Sequence, residues 1–373
     1  TNLFDKYPIL QGGFVWDWID QAIRTKTTDG IEYLAYGGDF GEKVHSGNFS
    51  GNGLLFADGT PTPKLDEVKS VYQNADFREG NIRGKSVFIK NKFLFTNLSD
   101  FDFTWSVYKT GELVESGNIA LDIAPNTKKM LVIPFTYPTV SDGEYVLNLS
   151  LATKHSSLWA DKGHEVAFGQ FVLPTKPQDE AIPDGKLELI KAEKSIIVTG
   201  ENFKAEFGQN SGLLHSYVYN GTELLKRPVT PNFYRAWVDN DVANGMPLRC
   251  RVWVQNSHRR ELNELAQIHT DANQIIIKAS FSLNDLHDDW CVGHYSHSLC
   301  TMTYTINADG KISITEQVFP LPNMPELPTF GSKIVMENEF CNMKWYGRGP
   351  SESMWDRKSG EKIGLYSGTV KEQ

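Results

Sequence analysis

Along this chain of 373 residues the spacing of hydrophobic positions changes character twice. Near the amino terminus Gly13-Phe14-Val15-Trp16-Asp17-Trp18-Ile19 is almost continuously apolar, the pattern of a strand buried on both faces. A glycine-rich stretch over 36–53 follows and predicts irregular backbone. After Pro61 and Pro63, the residues Leu65, Val68, Val71 and Tyr72 recur at helical spacing, which predicts a helix over 64–73. Strand, long loop and helix form one βα unit of an α/β fold. A single unit leaves an apolar face uncovered, so residues 1–75 are expected to be the end of a barrel cut from its other strands.

From about residue 76 the rhythm becomes period two, broken by turns. The runs 87–89, 93–95, 103–108 and 145–151 read as strands, with turns at Thr110-Gly111, Ser116-Gly117 and Asp142-Gly143. A hundred residues of short strands at this spacing predict an immunoglobulin-like β-sandwich over 76–178. The proline-containing stretch 174–183 reads as a linker. Longer alternating strands then appear at 195–199, 274–278 and 311–315, with hairpin signals at Asn220-Gly221 and Asp309-Gly310. Residues 179–373 are therefore expected to form a second, larger sandwich. Gly364 to Thr369 begins a strand with nothing after it to pair, which reads as a domain stopped midway. The fold class is mainly β.

Composition narrows the function by exclusion. A net charge of −9 disfavours a nucleic-acid partner, since phosphate binding requires a basic surface. No apolar run approaches the roughly 20 residues that cross a bilayer, so no membrane partner is expected. The chain starts at Thr1, without methionine or signal peptide, and reads as a cut piece, so the absence of a targeting segment leaves the compartment unknown; a soluble protein, cytoplasmic or periplasmic, is expected. Cys291 and Cys300 are spaced for a disulfide across a hairpin, but thiols packed as small apolar groups are the plainer reading of four dispersed cysteines. Nine tryptophans suit rings stacked on sugars and a packed β core equally.

The densest chemistry lies in Leu10 to Gln21. At the carboxyl end of a barrel strand, Trp16, Asp17 and Trp18 would emerge where such barrels place their active sites. An indole beside a carboxylate suits a sugar, which has a flat C–H face and a polar rim. Core filling is the competing reading of these tryptophans.

That run, with Tyr36-Gly37-Gly38-Asp39-Phe40-Gly41 and Asn52-Gly53-Leu54-Leu55-Phe56-Ala57-Asp58, resembles the last barrel strand and loop of large bacterial β-galactosidases of glycoside hydrolase family 2. Phe233 to Asp241 and Trp345-Tyr346-Gly347-Arg348-Gly349-Pro350, with Glu352, Asp356 and Arg357, resemble later signatures of the same family, in the same order. The resemblance implies that the last domain is a galactose-mutarotase-like super-sandwich. It also implies a retaining hydrolysis of terminal β-galactose by two glutamates. In the family both glutamates, and the Mg2+ ligands, precede the Gln11-Gly12-Gly13-Phe14 segment, so no catalytic residue is expected here and the chain alone is expected to be inactive. What carries over is Trp16 lining the galactose site, Phe49 and Asp17 beside the substrate, and a partial Na+ site from the Phe49 carbonyl and the Asn52 side-chain oxygen. Oxygen ligands of this kind suit a hard cation. A homo-oligomer is also implied for the full-length enzyme. Two departures from the family pattern, at 42–47 and at Trp237-Val238, touch loop detail.

Other motifs carry less. The segment His287 to His297 resembles metal-ligand material, but no zinc spacing fits it. Glu352 and Asp356 read as structural partners of Arg348 and Arg357 rather than a catalytic dyad. Two alternatives to the galactosidase remain from the sequence: a non-catalytic sandwich that binds carbohydrate or another subunit, and a family 2 glycosidase acting on β-glucuronides or β-mannosides.

Overall fold

The computed structural model describes residues 2–176, 183–283, 298–322 and 324–372. The chain forms two compact units, residues 1–179 with 341–373, and residues 180–340. Both are mainly antiparallel β.

The first unit opens with helix α1 (Asn2–Lys6) and a hairpin of β1 (Ile23–Lys26) and β2 (Glu32–Ala35). Helix α2 (Pro63–Tyr72) starts where the prolines predict, with the Thr62 hydroxyl accepting from the Lys64 N–H at its amino end. The expected buried strand over 13–19 is not formed. Phe14, Val15, Trp16 and Trp18 are exposed, and the segment's only β pairing is an isolated parallel bridge from Ile19 to Leu55. A strand buried on both faces needs neighbouring strands and covering helices, and the described residues supply none.

Seven strands then form a sandwich: β3 (Ala75–Glu79), β4 (Ser86–Asn91), β5 (Phe101–Lys109), β6 (Glu112–Asn118), β7 (Lys128–Val132), β8 (Tyr145–Thr153) and β9 (Glu165–Leu173). One sheet runs β3-β4-β7 and the other β6-β5-β8-β9. Alternation sends Val87 and Ile89 inward from the first sheet, and Phe103, Trp105, Val107, Leu147, Leu149 and Leu151 from the second. Two expectations fail here for local reasons. Residues 93–95 are not a strand, because the buried Asn91 amide accepts from the Phe93 N–H and donates to the Thr96 carbonyl, turning the chain out of the sheet. Ser116-Gly117 is no turn: Gly117 lies inside β6 opposite Trp105, and a Cβ there would come within 2.7 Å of the indole. The glycine is a packing requirement.

The second unit holds a five-stranded sheet of β10 (Glu188–Lys191), β11 (Ser195–Thr199), β12 (Phe203–Gly208), β13 (Leu214–Tyr219) and β14 (Thr222–Glu223). After β15 (Arg227–Asn232) come helices α3 (Asp239–Ala243), α4 (Met246–Arg249) and α5 (Arg251–His258). A four-stranded sheet follows, of β16 (Glu261–Thr270), β17 (Gln274–Leu283), β18 (Ser298–Asn307) and β19 (Ile312–Phe319), and β20 (Gly331–Val335) returns to pair with β15. One apolar core joins the two larger sheets, with the Phe207 and Tyr304 rings meeting edge to face at 4.9 Å. The Phe233–Asp241 signature is structural here. Phe233 is buried between Trp253 and Phe330, and Arg235 grips Asp241 with both guanidinium nitrogens. Cys250 and Cys300 are buried free thiols, and burial pushes the Cys300 thiol up to about 12. Cys291 and the histidine-rich segment 287–297 lie outside the described residues, as does 177–182 of the expected linker.

The chain closes with the hairpin of β21 (Asn342–Gly349) and β22 (Lys362–Thr369), which belongs to the first unit. Gly364 to Thr369 therefore does have a partner, but it precedes the strand instead of following it. Leu365 packs against Gly111, and the Gln170 side chain both donates to the Ile363 carbonyl and accepts from its N–H. Ser70 and Glu67 of α2 bond the backbone at Ser359 and Gly360, while Gln73 makes a two-way pair with Phe168. Sandwich, hairpin and α2 are thus locked together.

Two outcomes follow. Gly117→Val forces the Trp105 ring to shift and lowers the stability of the first unit by about 1–3 kcal/mol in thermal or denaturant melts. In the second unit, the Arg235 guanidinium and then the Val238 N–H hold the Asp241 carboxyl below the ordinary aspartate value of 3.8. A depressed value stabilises the fold above the unfolded pKa and stops doing so as pH falls through the folded one. Asp241→Asn is therefore expected to cost about 1–2 kcal/mol at neutral pH, discounted for the half-exposed arginine, with the gap closing in melts taken below pH 3.8.

Candidate active-site wall

Residues 17–21 and 50–55 are laced together by main-chain bonds. The Asp17 N–H donates to the Asn52 carbonyl at 3.1 Å, and the Leu54 N–H returns to the Asp17 carbonyl at 2.9 Å. Leu55 N–H donates to Trp18 O, Asp20 N–H to Leu55 O, and Gln21 N–H to Ser50 O, all at 2.9–3.0 Å. Gly53 sits where the two segments come closest. A Cβ on it would lie 2.2 Å from the Asp20 nitrogen, so only glycine fits. Asp20 completes the lacing by accepting from the Gly53 N–H at 2.7 Å.

The two aspartates of the run divide their work. Asp17 is half-buried and its carboxylate is taken up locally, by the Trp18 N–H at 2.5 Å and the Gln21 side chain at 2.9 Å. That matches a structural role beside the site more than a direct hold on a ligand. Asp20 instead reaches 33 residues along the chain.

What this frame presents is aromatic and polar at once. Trp16 is 73% exposed, Trp18 59% and Phe49 65%. Exposed rings concentrated on two adjoining stretches of chain mark a surface made to be covered. Beside them the Asn52 side chain is in the opposite state: both its oxygen and its nitrogen are buried and lack any hydrogen-bond partner among the described residues. Each such orphan costs about 1–3 kcal/mol, which a native site tolerates when another group completes it. A neutral amide oxygen in this state suits a hard cation. Phe49, three residues earlier, is fixed by its N–H bond to the Ser46 carbonyl. The structure thus brings Asp17 and Asn52 together directly. No hydrogen bond or ring contact among the described residues ties Trp16 to Phe49.

Elsewhere the candidates resolve into scaffolding. Glu352 pairs with Arg357, as expected, but Arg348 donates to the carbonyls of Lys358 and Glu361 and forms no ion pair among the described residues. Trp345 donates to the Arg348 carbonyl and lies against Tyr366, so this signature builds the closing hairpin. No group of three or more His, Cys, Asp or Glu among the described residues is placed to hold a metal ion. No helix among them is long and apolar enough to cross a membrane.

Three family models match the chain in succession. Residues 1–77 match the TIM barrel domain of family 2 glycosyl hydrolases, 87–174 match domain 4 of β-galactosidase, and 199–373 match the β-galactosidase small chain. Together the three matches span most of the chain, in the order family 2 barrel, β-galactosidase domain 4, β-galactosidase small chain. It is 42% identical, over its whole length, to a β-galactosidase of Priestia megaterium, and 35% identical over 99% of its length to one of Clostridium acetobutylicum. A β-galactosidase of Streptococcus thermophilus is 32% identical over 98% of the chain. The chain spans 35%, 40% and 34% of those three proteins, a little over a third of their length. The barrel match covers both laced segments, and the exposed rings of 14–18 lie within it. Asp20 and Gly53 lie 33 residues apart and have no role that the sequence shows, because only their meeting in space gives them one.

Proposed function

We propose that this chain is part of a retaining β-galactosidase and supplies one wall of its galactose site. The observation that carries the reading is the orphaned Asn52 amide, pinned beside the exposed Trp16-Asp17-Trp18 segment of a barrel-domain match. Trp16 offers a flat apolar ring for the C–H face of galactose. The Asn52 oxygen and the Phe49 carbonyl would hold a sodium ion, whose charge would orient sugar hydroxyls when bound. Asp17 keeps the Trp16–Trp18 backbone in place through its bonds to Trp18 and Gln21. Two glutamates from another part of the enzyme would attack the anomeric carbon and shuttle the proton, about 5–5.5 Å apart as retention requires. Mg2+ would be held there as well. The first sandwich braces this wall through α2 and the closing hairpin, and a homo-oligomer would brace it further.

Purified at this length, the chain is expected to give no turnover of a chromogenic β-galactoside. The full-length gene product is expected to turn over the galactoside in preference to the matching β-glucuronide and β-mannoside. In that protein Trp16→Ala should lower kcat/KM by roughly ten- to a hundredfold, the loss of a desolvated ring contact. An unchanged kcat/KM would remove Trp16 from the site, and turnover by the isolated chain would put catalytic carboxylates inside it.

A further inference from the structure

An orphaned side chain can aim at a fixed point only if its backbone is held, and the backbone around Asn52 is held from both sides. Its carbonyl accepts from Asp17, while the next N–H, on Gly53, is gripped by the Asp20 carboxylate at 2.7 Å. The peptide joining Asn52 to Gly53 therefore has both of its polar groups tied to the 17–20 segment. A carboxylate accepting from an N–H is among the stronger hydrogen bonds, and this one is partly buried. Asp17 cannot substitute, since its own carboxylate is engaged by Trp18 and Gln21. The absence of a Cβ on Gly53 lets Asp20 approach, and the closeness of Asp20 in turn excludes any other residue at 53.

We infer that Asp20 is the positioning residue that aims the Asn52 side-chain oxygen at a bound cation. The inference rests on the sodium reading given above and adds to it a residue that touches neither the ion nor the sugar. Groups that orient a metal ligand from behind commonly change cation affinity by about ten- to a hundredfold when altered.

The test uses the full-length gene product, with Na+ replaced stepwise by K+ at constant ionic strength. Half-saturating Na+ is read from the thermal shift and from 23Na relaxation, with KM for a chromogenic β-galactoside as a third readout. Asp20→Asn should raise half-saturating Na+ roughly tenfold or more in all three, and Asp20→Glu should recover part of it. A purely structural role would lower the melting temperature equally in Na+ and K+ and leave half-saturation unmoved, which overturns the inference. Wild-type protein that ignores Na+ in every readout overturns both this inference and the sodium reading, while leaving the galactosidase assay to stand alone. Should Asp20→Asn fail to fold, amide hydrogen exchange on the wild type decides: Na+ should slow exchange at Gly53 and Leu54 relative to K+, and equal exchange would refute the proposal.

Discussion

Everything proposed for this chain depends on the close main-chain contact between 17–21 and 50–55. Without it Trp16 would be one exposed ring among several, and Asn52 an amide in a long irregular loop. With it, two segments about thirty residues apart along the chain become one surface. The closeness is possible because Gly53 has no side chain, and it is held by five backbone hydrogen bonds and one carboxylate. Hydrogen bonds of this kind each contribute only about 1 kcal/mol net, so the lacing works as a set and no single bond defines it.

The first sandwich supplies the stiffness that this surface lacks by itself. The first sandwich has a continuous apolar core, and it is fastened to α2 by Gln73 and, through the closing hairpin, by Ser70 and Glu67. Helix α2 in turn begins at Thr62, whose hydroxyl donates to the Leu54 carbonyl inside the laced loop. A continuous line of packing and hydrogen bonds therefore runs from sandwich core to candidate site. The second unit has its own core and its own arginine–aspartate lock, and it is a complete packing problem on its own terms.

Much of the sheet structure was legible from alternation alone. Strands such as β5, β8, β11 and β17 present one buried face, and a period of two records that directly. The failures share a different cause. The apolar run at 13–19 has the composition of a buried strand, but burial is a property of neighbours, and composition cannot say where they are. Gly117 looked like a turn because glycine permits turns, whereas its role is to leave room for Trp105 across the sheet. Residues 93–95 have strand-forming side chains, yet one buried asparagine amide outcompetes the ladder. For the site, Trp16 stands out in the sequence as an indole beside a carboxylate at an expected strand end, whereas Phe49 and Asn52 stand out only by resemblance to family motifs. The physical reason for Asn52, an amide buried without a partner, exists only in three dimensions, as does the reach of Asp20 to Gly53.

The most direct measurement is a crystal structure of the full-length gene product with a non-hydrolysable galactoside in Na+ buffer. The account predicts the C–H face of the galactose ring on the Trp16 indole at van der Waals distance, about 3.5–4 Å, and a sodium ion on the Asn52 side-chain oxygen. A sugar bound elsewhere, with Trp16 packed inside the protein and Asn52 bonded to protein groups alone, would contradict it.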